Sequence, residues 1–189
     1  DADAISFFPY NPAGANSILD GLGLMDTDGN GVRNLPNGGG DLVINLVQNK
    51  GSENEMLLGD GMATMMAEVG IKINIKPMED TEPTRQAGEW DWLLVRSQQE
   101  MAFPNSGYWS DMGPVTTSSF DPHLGTDEHP QQLQSFEKEI VSILEQWRDG
   151  VEGAEAQALM SRYQKLFTEN VYMPGIVQYP TALLINKRI

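Results

Sequence analysis

The segment from Leu42 to Arg96 constrains the fold of this chain more than any other stretch. Leu42 to Val47 is a nearly continuous apolar run and reads as a buried strand. Ser52 and Glu55 carry the S-x-x-E spacing that opens a helix. Leu58, Met62, Met65, Met66 and Val69 then fall on one helical face, and Gly70 stops it. Ile71, Ile73 and Ile75 alternate with Lys72, Asn74 and Lys76, the period of a strand, which Pro77 is expected to end. Thr81 to Ala87 is predicted as a short helix. Asp91 to Arg96, with Trp92, Leu93, Leu94 and Val95, is predicted as a third strand. Strand, helix, strand, helix, strand predicts βαβ units: an α/β fold with a mostly parallel sheet, right-handed crossovers and flanking helices.

Before this core lies an extended aromatic approach, Phe7, Phe8, Pro9 and Tyr10. Asn11 is placed to cap a helix with Pro12 in its first turn. Ala15, Ile18, Leu19 and Leu22 give the helical stripe, and Gly21 and Gly23 end it. After the core, residues 97–131 lack periodicity and carry Pro104, Gly107, Gly113, Pro114, Pro122, Gly125 and Pro130. A loop this long in a compact domain is often functional. Leu133, Phe136, Ile140, Ile143, Leu144 and Trp147 form a strongly amphipathic helix, whose acids Glu137, Glu139, Glu145 and Asp149 read as its solvated face. A second helix is predicted from about Ala154 to Thr168, with Leu159, Tyr163, Leu166 and Phe167 inward. Short strands are expected at Gly175 to Tyr179 and Ala182 to Asn186.

Charge and composition exclude several classes of function. The chain has 189 residues, with 27 acids against 12 bases and a net charge of −15. No basic patch is available to neutralise a phosphate backbone or an anionic membrane, so nucleic acid is not an expected partner. No apolar stretch approaches the length of a membrane span, so membrane insertion is not expected either. There is no cysteine, which removes disulfides, thiolate metal sites and cysteine nucleophiles. The chain opens at Asp1 without a methionine and closes on a strand-like run, as expected of a piece of a longer polypeptide.

One motif invites a metal. From Asp26 the loop fits D-x-[DN]-x-[DN]-G through Asp28, Asn30 and Gly31, with the Val32 carbonyl as a further oxygen. Such spacing can converge carboxylates and a carbonyl on calcium, which takes six to eight hard oxygen ligands. Asn37 stands where the bidentate glutamate belongs, and Pro36 with Gly38 to Gly40 breaks any exit helix. The alternative is a turn in which the Asp side chains accept backbone amides and the glycines take positive φ. No cofactor is required on this reading, and calcium is an optional ion.

Ligands of parallel α/β sheets sit beyond the carboxyl ends of the strands. Two such ends are legible here, Gln48-Asn49-Lys50 and Arg96-Ser97-Gln98-Gln99-Glu100. Arg96 suits a carboxylate, Ser97 and Gln98 hydrogen bonds in both directions, and Glu100 an amine or other cation. Asn105, Tyr108 and Trp109 supply a polar and aromatic wall of the kind concave sites use. Asn49 completes the set of candidate ligand-binding residues. His123 and His129 are read as surface histidines, and Trp90 and Trp92 as packing residues. The chain is not expected to be an enzyme. No pair of acids is fixed at catalytic spacing, and neither G-x-S-x-G nor a phosphate loop is present.

Four segments together resemble the extracytoplasmic solute-binding proteins of the peptide and nickel-binding family (family 5), which serve ABC importers. They are NPAGANSILDGLGLMDTDGNGVRNLP, MATMMAEVGIKINIKPM, GEWDWLLVRSQQE and ALMSRYQKLFTENVYMPGIVQYPTALLINKR. The resemblance implies a periplasmic-binding-protein type II lobe, with residues 1–189 forming the later lobe of a two-lobed clamp and 97–131 its cleft-facing loop. It implies that the strand ending at Arg96 leads into the cleft. It also implies a periplasmic or extracytoplasmic location, a peptide-like or small organic solute, the missing first lobe of the same protein as partner, and a membrane permease as recipient. Two other functions stay open at this point, a calcium-stabilised extracellular structural module and a carboxylate-dependent hydrolase.

Overall fold

The computed structural model describes residues 2–87, 89–94, 113 and 133–172. They fall in two compact units, Pro9–Leu133 and Asp1–Phe8 with Gln134–Ile189.

The first unit is built on a parallel sheet of order β2-β1-β3, with β1 at Val43–Asn49, β2 at Lys72–Met78 and β3 at Trp92–Leu93. Leu46 stands opposite Ile75 on one side and Trp92 on the other. Val47 stands opposite Lys76 and Leu93. Leu46 and Val47 point to opposite faces, yet both are fully buried, so β1 is central and covered on both sides, in keeping with its nearly continuous apolar run. Burying a side chain such as Leu46 contributes about 1.5–3 kcal/mol. β3 is fixed at its entry by Asp91, whose Oδ2 accepts the Asn45 amide (2.7 Å) and Asn45 Nδ2 (2.9 Å). Asn74 Nδ2 donates in turn to Asn45 Oδ1, which completes a polar ladder across all three strands.

The strand does not end at Pro77 but runs through it to Met78. The Lys72 amide bonds Leu42 O of the β1 side (3.1 Å), and Met78 O accepts the Lys50 amide (2.9 Å). Backbone polarity alternates along a strand, so position 77 points away from β1. There, on the edge of the described sheet, a missing N–H breaks no ladder bond.

Helix α1 (Pro12–Gly21) starts where Asn11 Oδ1 accepts the Gly14 amide at 2.9 Å, and Gly23 leaves it at φ 76°. Ile18 and Leu22 of its apolar stripe are exposed. α1 is attached through polar groups instead, as shown below. Helix α2 (Glu53–Ala67) is capped by Ser52, whose Oγ accepts the Glu55 amide at 3.4 Å. It approaches the sheet through Gly59, where a Cβ would lie 2.0 Å from the buried Gln48 Oε1. That contact sets an inward line through Met56, Gly59, Ala63 and Met66 and leaves Met65, expected inside, 44% exposed. Gly70 ends the segment at φ 76°. Helix α3 (Glu82–Ala87) is followed by Trp90, whose Nε1 donates to Arg85 O (3.3 Å). Trp90 and Trp92 are half-buried, in keeping with packing.

The second unit holds two helices, α4 (Ser135–Arg148) and α5 (Gly153–Glu169), and a 3-10 turn at Ala2–Ala4. Ile140, Ile143, Leu144, Tyr163 and Leu166 form its core. Phe136 and Phe167 each meet Tyr172 edge-on, at ring distances of 5.3 and 5.4 Å. Glu139 and Arg162 form a two-pronged ion pair at 2.5 and 2.7 Å, and the Ser6 amide donates to Thr168 Oγ1 at 2.9 Å. Glu137 departs from the expected solvated face, being only 3% exposed. It closes a capping box by accepting the Gln134 amide (2.7 Å), and it accepts the Tyr172 hydroxyl (2.7 Å). A buried carboxylate persists where hydrogen bonds replace its water. Val95, Arg96 and the strands expected between Gly175 and Asn186 lie outside the described residues.

Candidate functional site

The carboxyl end of β1 is a tightly bonded turn. The Asn49 amide donates to Glu55 Oε2 (3.0 Å), Asn49 Oδ1 accepts the Gly51 amide (2.8 Å), and Asn49 O accepts the Ser52 amide (3.2 Å). The strand end is thereby locked to the first turn of α2. The Nδ2 group of Asn49 remains without a partner among the described residues. Beside it, Lys50 Nζ pairs with Glu79 Oε1 at 2.8 Å, with both side chains substantially exposed. Asn49 is the one candidate ligand-binding residue in the described part. Arg96, Ser97, Gln98, Glu100, Asn105, Tyr108 and Trp109 lie outside the described residues, as do His123 and His129.

The acidic loop is closed by its own side chains. Asp26 Oδ1 accepts the Gly29 (2.7 Å) and Asn30 (3.2 Å) amides, and Asp26 Oδ2 accepts the Gly31 amide (2.9 Å). These bonds, Gly31's foremost, hold the Asp26 carboxyl below its ordinary value. Asp28 Oδ1 accepts the Asn30 amide (3.2 Å), and Asn30 Oδ1 accepts the Val32 amide (2.7 Å). Asp26, Asp28, Asn30 and Val32 are thus brought into one loop and bonded to one another, with Gly29 and Gly31 at φ 77° and 86°. Among the described residues, no three His, Cys, Asp or Glu side chains are grouped as a metal site.

What anchors this loop was not singled out from the sequence. Arg33 is 9% exposed. Its Nε donates to Val69 O (2.7 Å) and its Nη2 to Asn16 Oδ1 (2.7 Å). Its Nη1 donates to Leu24 O and pairs with Asp20 Oδ1 (2.7 Å). The Arg33 amide also bonds Gly70 O (2.8 Å), and Arg33 O accepts the Leu42 amide (2.6 Å). One side chain therefore joins α1, the loop and the α2–β2 corner, and Gly70 has room for it because a Cβ there would lie 2.9 Å from Arg33 Cγ. The available signal was that Arg33 is the only base in residues 1–49, among Asp1, Asp3, Asp20, Asp26, Asp28 and Asp41. Two open hollows, each of about 320 Å³, lie along this segment. One is bounded by Met25, Leu35, Asn37 and Gly38, the other by Asn16, Asp26, Arg33 and Glu68.

The described sheet is parallel, of order β2-β1-β3, with helix α2 packed on it and a glycine-rich loop before it. Residues 1–119 match the family described as bacterial extracellular solute-binding proteins, family 5 Middle. The chain belongs to this family of solute-binding proteins, which places it outside the cytoplasm. It is 31% identical, over its whole length, to the periplasmic alpha-galactoside-binding protein of Rhizobium meliloti (strain 1021), and spans 28% of that protein. It superimposes with a TM-score of 0.82 and 29% identity on the periplasmic binding protein MelB from Agrobacterium fabrum C58, solved in complex with stachyose. That match covers 91% of this chain and 26% of MelB. The oligopeptide-binding protein OppA shares the fold at a TM-score of 0.70 and 19% identity, over 86% of this chain and 28% of OppA. Among the described residues no helix is long and apolar enough to cross a membrane.

Proposed function

We propose that this chain is part of the solute-binding component of an ABC importer, and that its solute is an oligosaccharide carrying α-galactosidic linkages. The peptide-like solute that the family resemblance first implies is the less favoured alternative. The observation that carries this choice is the likeness to the alpha-galactoside-binding protein, 31% identical along the whole of this chain. Likeness to the stachyose-bound MelB at 29% identity supports it independently.

On this reading residues 1–189 form one wall of a cleft, and the remainder of a longer polypeptide supplies the other. The relatives are several times longer than this chain, which spans 28% of one and 26% of the other. Closure of two walls around the solute does the work, and no bond is made or broken. The residues assigned to the solute are Asn49, Arg96, Ser97, Gln98, Glu100, Asn105, Tyr108 and Trp109. Their chemistry suits a sugar. Planar amide, guanidinium and carboxylate groups pair with adjacent hydroxyls, and aromatic rings cover the apolar face of a pyranose. The loaded protein would then dock on a membrane permease.

The test is the thermal stability of the full-length protein with added solutes. Stachyose at about 100 times its dissociation constant should stabilise the protein by about 2.7 kcal/mol, while a mixed oligopeptide library should leave it unchanged. Stabilisation by peptides and not by the sugar would overturn the choice of solute.

A further inference from the structure

The glycine-rich loop contains two Asn-Gly pairs that are alike in sequence and opposite in structure. We propose that Asn37-Gly38 is a site of spontaneous covalent modification, in which the Asn37 amide is lost to water through a cyclic imide. The Gly38 backbone nitrogen attacks Asn37 Cγ, and the new C–N bond forms as the bond from Cγ to Nδ2 breaks. The Gly38 amide proton leaves with that nitrogen as ammonia. Water then opens the ring at either carbonyl, giving aspartate or isoaspartate at position 37.

Three observations select this pair. Asn37 is exposed, and its side chain makes no hydrogen bond with any described residue. Its backbone sits at φ 61°, ψ 29°, followed by Gly38 at φ 78°. Consecutive positive φ values belong to a primed turn, a costly region for an L-residue and one that ring closure vacates. Glycine at position 38 puts no side chain in the path of the attack. Asn30-Gly31 is held at both ends of its amide. Asn30 Oδ1 accepts the Val32 amide (2.7 Å), and Nδ2 donates to Asp28 Oδ2 (3.3 Å) and Asp41 Oδ1 (3.1 Å). Swinging Asn30 Cγ onto the next nitrogen breaks all three bonds, so in the folded protein Asn37 should react about tenfold faster or more.

The product changes its surroundings in a defined way. Asn37 and Gly38 border the hollow that also holds Met25 and Leu35. A new carboxylate there adds to a chain already at −15. Isoaspartate also lengthens the main chain within the turn that the Leu35 amide closes onto Gly40 O at 2.7 Å. It therefore loosens the neighbouring bridges of Asn34 to Met25 and Asp41.

Trypsin makes the test simple, because cleavage after Arg33 and Lys50 puts Asn30 and Asn37 on different peptides. Purified protein is aged in mildly alkaline buffer, folded or in urea, and the amide-to-acid mass change is followed in the peptide that ends at Arg33 and in peptide 34–50. The expected result is early conversion at Asn37 in the folded protein, with the two sites converging in urea. The variant Asn37→Gly, which suits the positive φ, should abolish the change in 34–50. Equal or faster conversion at Asn30 in the folded state overturns the proposal. So does a folded protein that stays unmodified while the urea sample converts, or persistence of the change in Asn37→Gly.

Discussion

Each unit contains a buried charged residue, and the two are satisfied in different ways. Arg33, in the sheet unit, reaches partners 9 to 36 positions away in the chain and ties three separate segments together. Glu137, in the helical unit, bonds its own helix start and one tyrosine 35 positions on. The first is a tertiary fastener made of several carbonyls and one acid. The second is a helix cap that has been drawn inside. The sheet unit should therefore depend on one polar side chain for its entry loop, whereas the helical unit should depend chiefly on apolar contact.

Replacing Arg33 by Met should have the largest effect, a loss of about 3–5 kcal/mol in urea denaturation, because it strands buried carbonyls and frees Asp20. Glu137→Ala should cost less, about 1–3 kcal/mol, through loss of its bonds to the Gln134 amide and the Tyr172 hydroxyl. If Glu137→Ala proved the more damaging of the two, the contrast between fastener and cap would be broken.

Titration sharpens the comparison with a smaller effect. Asp26 and Asp91 lie below their ordinary 3.8, held there by the amides of Gly31 and Asn45 respectively. The stability they contribute is present above pH 3.8 and fades as pH falls through the depressed values. Tyr163 and Tyr172 are raised above 10.0 by burial. Their contribution is complete below pH 10 and fades as pH rises through the raised values. The sheet unit should thus weaken in acid and the helical unit in alkali. Asp26→Asn should flatten the acid limb of a urea-midpoint profile and Tyr172→Phe the alkaline limb. Glu139, lowered by Arg162, and Tyr10, raised by Glu68, run against this partition, but both are solvent-screened.

The parallel sheet and both long helices of the second unit were legible because periodicity reports burial. Ile73 and Ile75 alternate, and Ile140, Ile143 and Leu144 repeat at helical spacing. Pro77 and Met65 were misread because periodicity does not say which strand is an edge or how a helix is turned. Those answers came from the direction of the Lys72 amide and from the Gly59–Gln48 contact. Glu137 was misread for a related reason: a charged letter in an amphipathic pattern looks solvated until the donors that reach it are counted. Of the proposed site, only Asn49 was both legible and describable, and the reading of its strand end rests on the general placement of ligands in parallel sheets.

Pro77 has a last consequence, for self-association. An exposed strand edge is a template onto which another chain can add by backbone pairing. Among the described residues β2 is such an edge; its outer rim carries a proline that cannot donate, and Lys72 and Lys76 lie along the same strand as repelling charges. Along the described sheet, β2 thus carries its own guard against strand addition, and removing Pro77 would open that rim.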